Sequence, residues 1–114
     1  LLLATVDGTL DKMSVRWKDQ AALTVCLCAK GYPGTVQKGN PIKGLENDSP
    51  QGVEVFHAGT ALRDGQLVSN GGRVLNVTAL GATVKEAQQR AYAAVATIDF
   101  AGGFCRHDIG WRAL

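Results

Sequence analysis

Arg73 follows directly on Asn70-Gly71-Gly72 and opens the run Val74-Leu75-Asn76-Val77, so a turn delivers a charged fork to the mouth of a strand. Asn70 and Gly71 tolerate positive φ, and Gly72 permits close backbone approach. A guanidinium there suits a carboxylate or a phosphate. The same residues also spell an ordinary hairpin corner with a solvated arginine. A second polar group leaves a strand at His57-Ala58-Gly59-Thr60. Loops at like ends of neighbouring strands converge when the register allows it, which makes Arg73, Gly71, Gly72, His57, Gly59 and Thr60 the candidate anion-binding set. Their chemistry is binding, and no residue is assigned a catalytic role.

Other reactive groups form weaker patterns. Cys26, Cys28 and Cys105 give an odd cysteine count without the spacing of a disulfide framework, which points to a reducing, cytoplasmic setting. Cys26-Leu27-Cys28 lacks the two-residue spacer of common zinc knuckles, so no metal site is expected, and the two are read as small residues on opposite faces of a strand. His57 as a base beside a thiol is less natural than His57 bracing a loop by hydrogen bonding. No GxxxxGK[ST], GxGxxG after a strand, HExxH or GxSxG stands in the chain. Asp108, between Arg106 and Arg112, is read as an ion-pair partner.

The elements that must position these groups follow from periodicity and turn signals. Met13 to Trp17 alternates like a strand, and Ala21 to Ala29 is a continuous β-prone run suited to a central strand. Pro33-Gly34 signals a type II turn. A long irregular segment then runs to about Gly52, with Lys38 and Lys43 and no acid before Glu46. It is either a solvated loop or one that meets another domain or an anion, and Tyr32 and Ile42 favour contact. Gly52 to Thr60 reads as one strand, Leu62 to Asn70 as a hairpin about Asp64-Gly65, and Arg73 to Leu80 as the next strand, together a meander. Thr83 and Glu86 form a capping box ahead of a helix whose stripe is Val84, Ala87, Ala91, Ala94, Val95 and Ile98. Tyr92 is a half-buried support, and the closing Cys105 to Leu114 should dock.

The 114 residues allow one domain, and the hydrophobic share of 46% with 19% charged is ordinary for a globular chain. A net charge of +2 predicts neither a nucleic-acid nor a membrane partner. The opening Leu1-Leu2-Leu3 is interrupted by Thr5 and Asp7, so it is no membrane span; residues 1–8 read as the remnant of a helix from a preceding domain, and the chain as a piece of a longer protein. The expected fold is α+β: an antiparallel sheet of about four to six strands with one long C-terminal helix across it.

Taken in order, Gly31-Tyr32-Pro33-Gly34, Lys38-Gly39, Ile42-Lys43-Gly44-Leu45, Val55-Phe56-His57-Ala58-Gly59-Thr60, Gly71-Gly72-Arg73-Val74-Leu75 and Asp108-Ile109-Gly110-Trp111-Arg112-Ala113 carry a family likeness. The chain resembles the C-terminal domain of the phosphoribosylamine–glycine ligases (glycinamide ribonucleotide synthetases), over nearly its whole length. The resemblance implies an ATP-grasp ligase of purine biosynthesis that joins glycine to phosphoribosylamine at the cost of ATP. It implies that ATP and magnesium are held mainly by an upstream domain, and that this segment, inactive alone, supplies one wall of the active site. Arg73 would then face the substrate side, with Gly71, Gly72, His57, Gly59 and Thr60 beside it. The Lys38 to Lys43 loop and the Arg106 to Arg112 tail would dock the domain on its neighbours. Cys105 departs from the family, whose members commonly place tyrosine before this arginine. Two alternatives stay open: the equivalent domain of a biotin carboxylase or formate-dependent purine transformylase, and a free-standing anion-binding module.

Overall fold

Two nine-residue strands, β1 (Ala21–Ala29) and the later Arg73–Gly81, form the centre of the sheet because both alternate apolar and polar residues along their length. The computed structural model describes residues 1–45 and 49–114. Its elements run α1 (Leu2–Val6), β1, β2 (Val53–His57), β3 (Thr60–Arg63), β4 (Gln66–Ser69), β5 (Arg73–Gly81), α2 (Val84–Val95) and β6 (Gly103–Phe104). Short 3-10 turns lie at Leu10–Lys12 and Trp111–Ala113. The main sheet has the order β2-β5-β1-β6, with every neighbouring pair antiparallel, and β3-β4 makes a separate two-stranded sheet.

One face of the main sheet is covered by α2. Leu23, Val25, Leu27, Leu75, Val77 and Ala79 point to it and meet Ala87, Ala91 and Ala94 of the helix. Alanine at these three helix positions permits close approach, and all three are buried. The capping box forms largely as expected: Thr83 Oγ1 accepts from Glu86 N at 3.2 Å, while the Glu86 carboxylate reaches back one residue further, to Ala82 N at 2.7 Å. Glu86 also pairs with Arg90, whose Nη1 donates to Leu80 O at 2.9 Å.

The α+β class holds, but the strand arrangement departs from a sequential meander. The strand expected from Gly52 to Thr60 ends at His57; Thr60 starts β3 in the other sheet. Gly59 turns the chain away there, with its N–H on Arg73 O at 2.9 Å. The β3-β4 hairpin then stands apart, and β5 returns to pair with both β2 and β1. The Asp64-Gly65 corner is as read: φ of 51° and 75° at the two residues give the turn whose twist matches the strands.

Three local readings are corrected. Residues 13–18 are irregular, because an alternating pattern makes a strand only beside a partner edge and none pairs with it among the described residues; Trp17 is 87% exposed. The turn at Pro33 has a cis Tyr32-Pro33 bond with Gly34 N on Gly31 O at 2.7 Å, which is a type VI turn rather than type II. Cys26 and Cys28 share a face, with their sulfurs 3.7 Å apart, as the two-residue strand period requires.

The lysine-bearing segment is pinned rather than free. Gly39 N donates to Ser69 O, Ser69 N to Asn40 O and Ile42 N to Leu67 O, so residues 39–42 run beside β4. Ile42 is buried, and Ser69, the buried polar residue of this region, accepts from Asn40 N at 3.2 Å. The part of the expected loop at residues 46–48 lies outside the described residues. The tail docks on α2: Tyr92 Oη donates to Arg106 O at 2.7 Å and accepts from Ile109 N, while Gln88 donates to Ile109 O at 2.8 Å. Asp108 pairs with Arg106, and Arg112 instead lies over the Trp111 ring.

Candidate functional site

The face of the sheet away from α2 carries the polar residues of the central strands. Thr24 and Thr78 stand opposite each other with their hydroxyl oxygens 2.8 Å apart, and Cys26 pairs across from Asn76. At the end of this face the register slips: Leu27 pairs with Leu75, but Cys28 pairs with Arg73, which leaves Val74 as an extra residue on β5. A bulge of this kind inverts the parity of the residues beyond it. Without it, Arg73 would share the α2 face with Leu75, two positions on. With it, Val74 and Leu75 are both buried and Arg73 turns to the open face beside Cys28 and Asn76.

Arg73, Asn76, Gly72, Ala58 and Tyr32 line one shallow hollow of about 570 Å³. The glycine turn is shaped by close approach and not by positive φ, since neither Gly71 nor Gly72 has it. A Cβ on Gly72 would stand 2.5 Å from Tyr32 Cδ2, and a Cβ on Gly59 would stand 2.9 Å from Gly71 Cα. Gly72 O accepts from Ala29 N at 2.8 Å and Asn70 N donates to Gly59 O at 2.7 Å, so the turn is tied to both β1 and the exit of β2. Gly59, Gly71, Gly72 and Arg73 are therefore brought together.

His57 and Thr60 are not part of that hollow. His57 pairs across from Leu75 and so faces α2, lining a cavity with Val55, Ala94, Thr97 and Ile98. Its Nδ1 lies 3.1 Å from Thr60 Oγ1, a contact that braces the two ends of the Ala58-Gly59 corner. The structure thus separates the six candidate residues into a turn group and a brace group.

Burial pushes the Cys28 thiol up to about 11, helped by its contact with Cys26 and, further off, by Cys105; Arg73 pulls the other way. Cys105 is raised by burial too. These thiols stay protonated near neutral pH and leave the charge of Arg73 uncancelled. Sequence reasoning left Asn76 and Tyr32 out of the site. Tyr32 carried a signal, as a large aromatic in a glycine-rich loop; Asn76 carried one only once the face it occupies was known.

A four-stranded antiparallel sheet with one helix across it and a glycine-and-arginine turn at its open end makes this an α+β domain. The family model described as "Phosphoribosylglycinamide synthetase, C domain" matches residues 22–112, and the chain belongs to that family. It is 62% identical over its whole length to the phosphoribosylamine–glycine ligase of Mesorhizobium japonicum, covering 27% of that protein. To the Escherichia coli enzyme of the same name it is 51% identical, again over the whole chain and 27% of the relative. The crystal structure of phosphoribosylamine–glycine ligase from Thermotoga maritima superimposes with a TM-score of 0.68 at 41% identity, over 77% of this chain and 21% of that one. The chain spans about a quarter of the length of the curated relatives it matches. These likenesses favour the glycine ligase over the two other ATP-grasp enzymes considered.

Proposed function

We propose that the chain works as the C-terminal domain of a phosphoribosylamine–glycine ligase, supplying one wall of an active site completed by the rest of the polypeptide. The observation that carries this is the 62% identity that runs unbroken along all 114 residues to an enzyme of that name. In the reaction, a glycine carboxylate oxygen takes the γ-phosphoryl group of ATP, releasing ADP. The amine of 5-phosphoribosylamine then attacks the activated carbonyl and expels phosphate, leaving the amide of glycinamide ribonucleotide. Such chemistry depends on alignment and on neutralising developing charge.

Among the described residues no three His, Cys, Asp or Glu side chains converge as metal ligands. We assign binding of magnesium and the nucleotide to the remaining three quarters of the polypeptide. Here the work is positioning: Arg73, carried on the Gly71-Gly72 turn, contacts a substrate carboxylate or phosphate, and His57 with Thr60 holds the Gly59 corner that backs it. Residues 1–8 are assigned to a helix of the preceding domain, and the Lys38 to Lys43 segment and the Arg106 to Arg112 tail to contacts with neighbouring domains. A cytoplasmic location accords with the three free thiols. Among the described residues no helix is long and apolar enough to cross a membrane.

The experiment is ADP release dependent on both glycine and phosphoribosylamine, measured for the full-length polypeptide and for the 114-residue chain. Turnover by the former and none by the latter is expected. Failure of the full-length protein, or turnover by the chain alone, would overturn the reading.

A further inference from the structure

Cys26 and Cys28 touch: their sulfurs stand 3.7 Å apart on the sheet face away from α2. Cys105 packs against the hydrophobic core instead. Cys28 is buried and Cys26 half-buried, so the pair is reached from the Cys26 side. The ligase chemistry proposed above uses neither thiol.

The geometry narrows what such a pair takes. A disulfide is disfavoured, because successive same-face residues of a strand lie about 6.6 Å apart, at the long end of the Cα spacing that a disulfide spans. β1 is held against contraction: Cys26 is paired with Asn76, and Cys28 with both Arg73 and Phe104. A single bridging atom fits better. Two thiolates on one tetrahedral zinc, at about 2.3 Å each, stand about 3.8 Å apart. Yet among the described residues no third His, Cys, Asp or Glu joins the pair to complete such a centre. The chemistry that needs two sulfurs and no further protein ligand is that of trivalent arsenic carrying one organic group.

The surroundings select an apolar organic group. Cross-strand rows on this face run Phe56, Asn76, Cys26 and then Arg73, Cys28, Phe104. Phe56 and Phe104, at the outer ends of the two rows, are both exposed. The dithiol therefore lies between two uncovered aromatic side chains.

We infer that Cys26 and Cys28 form a dithiol site for trivalent arsenicals bearing one aryl group. In the step, the dihydroxy form R–As(OH)2 gains two As–S bonds and loses two As–O bonds. Each departing hydroxyl leaves as water with one thiol proton. Arsenic stays trivalent and the sulfurs keep their oxidation state, so no oxidant or reductant enters. The bridged arsenic sits on β1 with its aryl group over the open face, in the row that also holds Arg73. The site stands whether or not Arg73 contacts a substrate.

The test uses the full-length polypeptide, reduced and freed of small thiols, with phenylarsine oxide as the probe near neutral pH. Washing with excess monothiol strips arsenic held by one sulfur. Cleavage after Lys18 and Lys30 then gives the peptide Asp19 to Lys30, which carries Cys26 and Cys28 without Cys105. One phenylarsine is expected on this peptide by mass, released by a small-molecule dithiol. Holding two sulfurs at once raises retention through effective concentration, so Cys26→Ser or Cys28→Ser should weaken binding at this peptide about a hundredfold, and Cys105→Ser less than about threefold. Each variant is first checked for a native circular dichroism spectrum, and Cys26→Ala, at the half-buried partner, carries the test if Cys28→Ser fails to fold. No monothiol-resistant adduct on this peptide, an adduct fully retained by the Cys26 variants, an equal loss in Cys105→Ser, or an adduct formed only after denaturation would each overturn the proposal.

Discussion

His57 and Arg73 stand on opposite faces of one sheet, although each lies at the same end of a pair of neighbouring strands. His57 is directly across from Leu75 and looks toward α2; Arg73, two residues before Leu75, looks away because Val74 is a bulge. The two residues therefore act on different things. Arg73 is available to a ligand, and His57 braces the corner through Thr60.

Independent faces predict independent energetics. In the full-length enzyme, Arg73→Ala should lower kcat/KM by about 1.5 to 3 kcal/mol in transition-state binding, the worth of lost charge-assisted bonds. Combining it with His57→Ala should give a coupling below about 0.5 kcal/mol. A steady-state double-mutant cycle measures both, and a coupling well above that value would mean that the two act together, through a common ligand or through the Gly59 corner, whose N–H bonds Arg73 O.

The Gly59 corner tolerates no side chain. A Cβ there would meet Arg73 O at 2.6 Å and Gly71 Cα at 2.9 Å, both backbone, so neither can swing aside. Gly59→Ala should destabilise the fold by about 1 to 3 kcal/mol, read from the shift of the urea midpoint, whereas Gly65→Ala, with open space around it, is limited to the cost of its positive φ. Equal losses at the two positions would contradict the close packing of the Gly59 corner.

Cys28 is expected to make stability fall in alkali. Its thiol ordinarily ionises near 9.0 and is raised to about 11 in the fold, so between these values the unfolded chain loses a proton that the native chain keeps. Stability should be full below pH 9 and should drop by roughly 1 kcal/mol per pH unit up to about pH 11. Urea unfolding of Cys28→Ala across this range should show a flatter profile, and an unchanged slope would exclude Cys28 as its source.

The capping residue of α2 carries a separate prediction. Thr83→Ala removes the acceptor of Glu86 N and should cost about 1 kcal/mol, and Thr83→Ser should restore most of it. Thermal unfolding of the three forms decides this.

Local signals made much of the fold legible. The Thr83 and Glu86 cap, the alanine stripe of α2, the Asp64-Gly65 corner and the strands at 21–29 and 73–81 are each written within a few residues of where they act. Met13 to Trp17 shows the limit of that kind of signal: the alternation is genuine, but a strand exists only against a neighbour. The break after His57 was hidden for a related reason. Ala58-Gly59 reads as a strand exit or a strand interior until Gly71 is found packed on Gly59. Arg73, Gly71 and Gly72 were recognisable by type, and Tyr32 by its setting, while Asn76 had no local mark at all.

By itself the sequence determined the α+β class, the position of most strands, the helix with its cap and the chemistry available at Arg73, since periodicity, turn propensity and side-chain identity are local properties of the chain. The tertiary structure alone decided which face each residue serves. One extra residue at Val74, defined only by the pairing of β5 with β1, turns Arg73 away from His57 and toward Tyr32 and Asn76. Parity along a strand is a local matter, but a bulge is set by a partner some fifty residues away, and the short signals that fixed everything else do not reach that far.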